Sequence, residues 1–234
     1  MRLYIVRHAD PDYAIDSLTP AGHQEAQALA NRMRQIRPTH LYCSPVQRAR
    51  HTCQYTADAL GLLMQIESWT AELRECRQVY EPWGELCAWD VPGEIIRANP
   101  TLPTQENWDQ MPAFANPIYR ERFEFVQRHS DDFLARHGYV RDGGRYRIEA
   151  PNRDRLAVFC HGGLGLTWLA HLLAIPLPMM WSSFWLSPSS VTTILFDERS
   201  PTWATPRALC VADTSHLYAA GLPVSPHGIK ANFD

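Results

Sequence analysis

The run from Leu3 to Asp10, LYIVRHAD, constrains the fold more than any other part of the chain. Its first four residues are apolar and β-prone, which predicts a buried strand of a parallel sheet. Arg7 and His8 follow without a turn residue, so both are expected at the carboxyl end of that strand. Ligands of open α/β sheets bind at this edge, in the crevice between the loops. A cation beside a histidine, which acts as nucleophile or base, suits phosphoryl chemistry.

Helix and strand signals alternate in the next part of the chain. A helix is predicted from Thr19-Pro20 to about residue 37, because Thr is a favoured N-cap and Pro a favoured first helical residue. A strand over 41–43, a second helix that ends at Gly61 and a strand over 62–66 follow. This βαβαβ order predicts a parallel sheet covered by helices.

The later elements complete the predicted fold class. We expect a helix over 117–136, a hairpin over 139–148, strands over 156–160, 191–196 and 208–211, and a connection over 201–206. The predicted class is α/β, a three-layer α/β/α arrangement with a mostly parallel central sheet and an inserted cap segment. The chain of 234 residues suits a single domain over 1–234.

Residues 76–118 interrupt the alternation of helix and strand. They are rich in Pro and Trp and lack periodicity. A long segment of this kind is usually functional or forms a small subdomain. We interpret it as a cap over the crevice, and a packed surface excursion without ligand contact is the alternative. Trp83, Trp89 and Trp108 suggest a substrate with an apolar or aromatic leaving group.

Composition argues against several classes of protein. The net charge of −3, without a charge run, disfavours a nucleic-acid partner. No apolar run approaches the ~20 residues of a membrane helix, so no membrane contact is expected. Six cysteines without CxxC spacing, after an N-terminus that lacks a signal-peptide pattern, indicate reduced thiols in a cytoplasmic protein. HExxH and paired Cys/His spacings are also missing, so we expect no metal and no cofactor.

Further polar groups are expected at the sheet edge that carries Arg7 and His8. The strand over 156–160 leads directly into His161, and the glycines after it allow close backbone approach to a ligand. Arg48 falls in the first turn of the second helix, where a cation opposes the helix dipole and favours an anionic partner. Considered alone, His161 could be a hydrogen-bonded turn residue, and Arg48 could be a solvated helix residue. Together, two arginines and two histidines suit the negative charge of a phosphoryl group.

Five motifs now carry a resemblance to a known family. LYIVRHAD, LTPAGHQEAQ, YCSPVQRARHT, ELRE and VFCHGG, in this order and spacing, resemble the histidine phosphatase superfamily, also called phosphoglycerate mutase-like. The resemblance covers roughly residues 1–75 and 120–218. It implies that His8 matches the nucleophile that becomes phosphohistidine. Arg7 and Arg48 match the paired phosphate-binding arginines, and His161 matches the second histidine, which binds phosphoryl oxygens.

The resemblance also implies a general acid. Glu75, in the ELRE motif, matches the acidic residue that protonates the leaving oxygen, and Glu72 is a weaker candidate for this role. The same residue then switches from acid to base for the attacking water. His8 must be neutral to attack, and two neighbouring arginines lower the pKa of an imidazole. The arginines supply the positive charge, so the reaction is expected to need no metal.

Departures from the family pattern favour hydrolysis. Many members read RHGxTxxN, whereas His8 is followed here by ADPDY, and residues 76–83 differ from the tyrosine- and glycine-containing stretch of phosphoglycerate mutases. We therefore expect a phosphatase for a small phosphorylated substrate. A phosphoglycerate-type mutase and a non-catalytic phospho-ligand-binding protein are the alternatives. A cysteine phosphatase is excluded, because no cysteine is followed by five residues and Arg. The oligomeric state stays open.

Overall fold

The computed structural model describes residues 1–98 and 100–229. The strands are β1 (Arg2–Arg7), β2 (Pro11–Asp12), β3 (Ser17–Leu18), β4 (His40–Cys43), β5 (Met64–Ile66), β6 (Arg77–Tyr80), β7 (Gly84–Cys87), β8 (Tyr139–Asp142), β9 (Arg145–Ile148), β10 (Arg155–Cys160), β11 (Val191–Glu198) and β12 (Trp203–Asp213). The α-helices are α1 (Pro20–Ile36), α2 (Gln47–Leu60), α3 (Gly93–Arg97), α4 (Pro117–Arg136), α5 (Gly162–Leu173), α6 (Leu177–Ser183) and α7 (Ser215–Ala219).

The central sheet has the strand order β5-β4-β10-β1-β11-β12-β9-β8. The first four strands pair in parallel, and the other neighbours pair antiparallel. Because only β11 and β9 run against the rest, most strands still point the same way. The predicted α/β class is confirmed, and the parallel half of the sheet is the half that carries the predicted site.

Helices cover both faces of the parallel half. Along β1, Leu3 and Ile5 join a core cluster with α4 and α5, whereas Tyr4 and Val6 join a second cluster with α1 and α2. Alternate side chains of a strand point to opposite faces, so β1 is buried from both sides. This explains its uninterrupted apolar run and confirms the three-layer arrangement.

The two helices on the second face end as their sequence signals predict, and α1 also begins so. The hydroxyl of Thr19 accepts a hydrogen bond from the backbone N–H of Gly22 at 3.0 Å, which caps α1. Arg37 closes α1 in the left-handed conformation, and Gly61 does the same for α2. The N-cap of α2 is Val46, whose side chain makes no capping hydrogen bond.

One predicted connection is wrong at its carboxyl end. Residues 201–206 were expected to be a loop, but β12 already starts at Trp203, and Pro206 lies within it opposite Phe196. On its other side, β12 pairs with β9 only at Trp203 and Ala204. Pro206 therefore falls where its missing N–H costs no sheet hydrogen bond, which is where a strand tolerates proline.

The segment 76–118, predicted to be a cap, contains the β6–β7 hairpin, α3 and three short 3₁₀ turns. Its apolar side chains, among them Leu86 and Phe114, belong to the same core cluster as Trp168 and Trp181 of the helical layer. Trp108 is fully buried in that cluster. Trp108 is thus a core residue and not a ligand wall, which corrects the expectation for one of the three tryptophans.

Two observations bear on the class of protein. All six cysteines are free thiols. Across residues 1–98 and 100–229, no helix has the length and apolar character needed to cross a bilayer.

The contact between α1 and the loop after β1 yields a stability prediction. A methyl group at Gly22 would lie 2.2 Å from the carbonyl oxygen of Asp10, so Gly22→Ala must push the helix and the loop apart. We expect a loss of about 1–3 kcal/mol in the free energy of unfolding, measured by chemical denaturation. The matched control is Gly144→Ala, where nothing lies within 4 Å, and its effect should stay within about 0.5 kcal/mol. Equal stability of both variants would contradict the close contact.

Candidate functional site

The parallel strands bring two histidines together at the carboxyl edge of the sheet. Arg7 pairs with Cys160 in the β1–β10 register, so His8 and His161 are the next residues on neighbouring strands. Their ring centroids lie 5.2 Å apart, and both side chains are buried. The convergence predicted from the two strand ends is therefore observed.

His8 presents one ring nitrogen for chemistry. Its Nδ1 lies 2.8 Å from the carbonyl oxygen of Ala9, which assigns the proton to Nδ1 and leaves the lone pair on Nε2. Arg48 Nε donates to that Nε2 at 3.1 Å. Burial, with the charges of Arg7 and Arg48, holds the pKa of His8 well below the usual value for histidine. His8 is consequently neutral at neutral pH, with Nε2 as its unprotonated nitrogen.

His161 is held in the complementary tautomer. Arg48 Nη2 donates to its Nδ1 at 3.1 Å, so Nε2 carries the proton and donates to the hydroxyl of Ser44 at 2.8 Å. Ser44 directly follows β4, in the short connection that leads to α2. Burial, followed by the charges of His8 and Arg48, also lowers the pKa of His161. The second histidine is therefore neutral and fixed in orientation.

Arg7 is the second buried cation of the site. Its guanidinium donates to the carbonyl oxygens of Leu186 at 2.6 Å and His227 at 3.3 Å. Its Nε is buried and has no hydrogen-bond partner within the described residues. Burial lowers the pKa of Arg7 from its usual value, and a guanidinium still stays charged. The unpartnered N–H is a donor that a bound oxyanion would satisfy.

Arg7 and Arg48 line a cavity of about 910 Å³. Glu72 lies on its wall, where its two carboxylate oxygens accept from the backbone N–H groups of Leu164 at 2.8 Å and Gly163 at 3.2 Å. These N–H groups belong to the first turn of α5, directly after His161. Glu72 is therefore fixed at the first turn of α5, which begins directly after His161.

Glu75 is not brought to the site. Its side chain is 47% exposed and pairs with Arg122 of α4 at 2.8 Å, and it does not line the cavity. Leu73 and Cys76, the residues that follow the two glutamates, are buried, and the chain turns between them, so the two carboxylates are placed differently. Of the two candidates for the acid, the structure therefore places Glu72, and not Glu75, on the cavity wall.

Arg48 forms an ion pair with a carboxylate that the sequence analysis missed. Asp16, in the turn between β2 and β3, pairs with Arg48 Nη1 at 2.6 Å. Tyr13, in the same turn, places its ring 5.3 Å from the Arg48 guanidinium. The pairing is long-range, and the one sequence signal was the acidic run Asp10, Asp12 and Asp16 next to a predicted anion site. Arg48 therefore already holds an internal anion.

The C-terminal segment also reaches the site. His227 packs its ring 5.2 Å from that of Tyr13, and its imidazole lies 3.4 Å from the Asp10 carboxylate. Gly228 has a φ of 96° and packs so closely that a methyl group there would lie 3.0 Å from the Trp185 ring. Trp185 in turn lies 5.1 Å from the Arg7 guanidinium. Residues 227–229 thus form part of the cavity wall.

A framework behind His8 keeps its loop in place. The Ala9 N–H donates to the hydroxyl of Thr52 on α2 at 3.0 Å. Ser189 donates its N–H to the carbonyl of His8 at 3.0 Å, and its hydroxyl lies 3.1 Å from His216 Nε2. The segment around His216 thus supports the neighbouring loop. Among the residues that the structure describes, no group of three or more His, Cys, Asp or Glu could hold a metal ion.

A comparison with protein families identifies the class. The model described as "Histidine phosphatase superfamily (branch 1)" matches residues 3–207. The chain belongs to the histidine phosphatase superfamily, and the resemblance drawn from its motifs is confirmed. A search of curated proteins finds no significant match.

Solved structures with the same fold are phosphatases. A variant of phosphoserine phosphatase from Entamoeba histolytica, in complex with phosphoserine, superposes with a TM-score of 0.62 at 18% identity, covering 92% of this chain and 98% of that one. Alpha-ribazole phosphatase from Shigella flexneri has a TM-score of 0.57 at 19% identity, with coverages of 92% and 97%. Mycobacterial glucosyl-3-phosphoglycerate phosphatase has a TM-score of 0.56 at 18% identity, with coverages of 90% and 97%. At these identities the likeness concerns the fold.

The Asp16–Arg48 pair predicts how strongly the cavity binds an anion. Because the Asp16 carboxylate competes with an oxyanion for Arg48, Asp16→Asn should tighten the dissociation constant of inorganic phosphate by about tenfold, measured by calorimetry. Asp58→Asn makes the same charge change about 15 Å along α2 and should alter the constant less than about twofold. Weaker phosphate binding by Asp16→Asn would show that Asp16 positions Arg48 and does not compete for it.

Proposed function

We propose that this protein is a metal-independent phosphomonoester hydrolase that forms a phosphohistidine on His8. The observation that carries the proposal is the state of the His8 ring. It is buried and neutral, its Nδ1 proton is held by Ala9, and its Nε2 lone pair faces the guanidinium of Arg48. A neutral imidazole with a fixed lone pair beside buried cations is suited to attack phosphorus.

The phosphoryl group of a small phosphorylated substrate would bind between the two arginines. Arg48 would exchange the Asp16 carboxylate for phosphoryl oxygens, and the free Nε–H of Arg7 would donate to another. His161, which accepts a hydrogen bond from Arg48 Nη2, would also contact the phosphoryl oxygens. Bidentate guanidinium contacts match the geometry and the negative charge of the group in flight. Positive charge from two arginines thus takes the part that a metal ion plays elsewhere.

The proposed reaction has two in-line steps. His8 Nε2 forms a bond to phosphorus while the ester P–O bond breaks, and the leaving oxygen takes a proton from Glu72. Glu72 then accepts a proton from water, the water oxygen attacks phosphorus, and the N–P bond breaks to release phosphate and neutral His8. The Ala9 carbonyl accepts a hydrogen bond from Nδ1–H throughout, so it would stabilise the positive charge that the ring carries in the intermediate.

We assign the acid role to Glu72 in preference to Glu75. Glu72 lies on the cavity wall at the start of α5, whereas Glu75 points away and pairs with Arg122. A general acid must reach the leaving oxygen directly or through one water, which is a condition of position before it is one of acidity.

The same proposal treats residues 1–234 as one domain with 76–118 as the cap. Arg77, Glu85 and Trp89 of this segment line the cavity above the arginines. They would contact the leaving group and not the phosphoryl group. The six free thiols fit the cytoplasmic location expected from the sequence.

The experiment is phosphate release from an aryl phosphate in the presence of a chelator. Wild type should be active, His8→Ala should fall to the background rate, and Glu72→Gln should lose about 100- to 10,000-fold in kcat because proton transfer is removed. Glu75→Gln is the matched control, and its kcat should stay within about twofold, as for an exposed group outside the cavity.

Other outcomes would point elsewhere. Full activity of His8→Ala would require another nucleophile. A loss of activity in Glu75→Gln with none in Glu72→Gln would reverse the assignment of the acid. Turnover that appears only with a bisphosphorylated primer would indicate a mutase. Phosphate binding without any turnover would indicate a phospho-ligand-binding protein.

A further inference from the structure

We propose that the leaving group of the substrate carries an aromatic ring, which binds in a second cavity next to the phosphate site. This inference rests on the proposed function, since it assigns the substrate class of the same site. The second cavity has a volume of about 580 Å³ and is lined by the aromatic residues Trp83, Trp89, Trp181, Phe184 and Trp185.

The two cavities adjoin, because five residues line both of them: Trp89, Asp90, Trp185, Gly228 and Ile229. A substrate whose phosphoryl group lies between the arginines would place its leaving group on this shared border. A volume of about 580 Å³ lies within the range of small-molecule sites, ~300–1,000 Å³. An ester that fills only the phosphate site would leave this apolar space to water.

Both shared walls are held by the residues that surround the phosphate site. Trp89 packs on the first turn of α5 so closely that a methyl group at Gly163 would lie 2.4 Å from its ring. Trp185 is placed by the Arg7 guanidinium and by Gly228. Trp89 and Trp185 are therefore fixed relative to the phosphate site, which a specificity pocket requires.

The walls of the second cavity present aromatic surface. Trp83 is 44% exposed and Phe184 is 38% exposed, so both present ring surface that a bound ring would cover. Aromatic rings that pack against one another are favoured beyond the burial of their area. Charges of both signs lie at this wall, because Asp90 and Glu94 line it and Arg97 donates hydrogen bonds to the hydroxyls of two lining serines. The aromatic surface, and not the sign of the charge, therefore favours an aromatic ring here.

The test compares two esters that differ only in the distant ring, 4-phenylbutyl phosphate and n-butyl phosphate. Both release a primary alkoxide of nearly equal basicity, so a difference in kcat/KM reports contacts of the ring and not the reactivity of the ester. We expect wild type to favour the phenylbutyl ester by about tenfold or more, as burial of a ring predicts. A ratio near one would overturn the inference.

Two variants locate the effect. Trp83→Ala and Phe184→Ala should each reduce the ratio to less than about threefold while the kcat/KM of n-butyl phosphate changes less than about twofold. Trp203→Ala, which removes the same kind of side chain from β12 outside both cavities, should keep the wild-type ratio. Because each ratio comes from a single preparation, a partly unfolded variant does not distort it. An unchanged ratio in both variants would contradict this location of the ring.

A binding arm separates this inference from the proposed function. The non-hydrolysable 4-phenylbutylphosphonate and n-butylphosphonate are titrated into wild type by calorimetry. We expect wild type to bind the phenyl compound about tenfold more tightly than n-butylphosphonate, and Trp83→Ala to lose this difference. That result would support the aromatic subsite even if neither ester were hydrolysed. Hydrolysis of both esters with equal phosphonate affinities would uphold the phosphatase and overturn the aromatic leaving group.

Discussion

The guanidinium of Arg48 is the interaction on which the site depends. Each of its three nitrogens has a different partner, with Nε on His8, Nη2 on His161 and Nη1 on Asp16. These bonds decide which nitrogen of each histidine carries its proton. They also connect the first turn of α2 to the ends of β1 and β10. The position of Arg48 therefore depends both on the strand register and on where α2 begins. Loss of this residue would change the tautomers and the positions of both rings.

The burial of Arg7 and Arg48 at one sheet edge creates an excess of positive charge. Burial of a charge is costly unless partners compensate it, and the carbonyl oxygens around Arg7 compensate only in part. Both histidines respond by staying neutral, because a further cation there would be repelled. Asp16 supplies some of the missing negative charge in the free protein. In the proposed mechanism a phosphoryl dianion would supply the rest, so that affinity for the anion and nucleophilicity of His8 would arise from the same electrostatic arrangement.

Local signals were enough to predict the core of this site. An apolar run that ends in Arg-His, a second that ends in His, and a helix start that carries Arg48 follow from strand burial and capping alone. The parallel order then brings them together without knowledge of any side-chain contact. The helices over 20–36 and 117–136 followed from their caps and periodicity for the same reason.

Other features depend on contacts that no local pattern encodes. Glu72 and Glu75 are three residues apart on an irregular segment, so no periodicity indicates which one faces the cavity. Asp16 and His227 act on the arginines across long sequence separations. Burial distinguishes Trp108 from Trp89, and burial of a tryptophan in an irregular segment is a tertiary property.

The formation of a phosphate bond to His8 is the central claim, and trapping it is the most direct measurement. Glu72→Gln is mixed with an aryl phosphate, whose leaving group needs little help from an acid, and the reaction is quenched in alkali within milliseconds. Mass spectrometry of the peptide that contains residue 8 should show one phosphate on His8, at a higher level than in wild type, because the base for the second step is missing. Phosphate on another residue, or a single turnover that labels no residue, would contradict the mechanism.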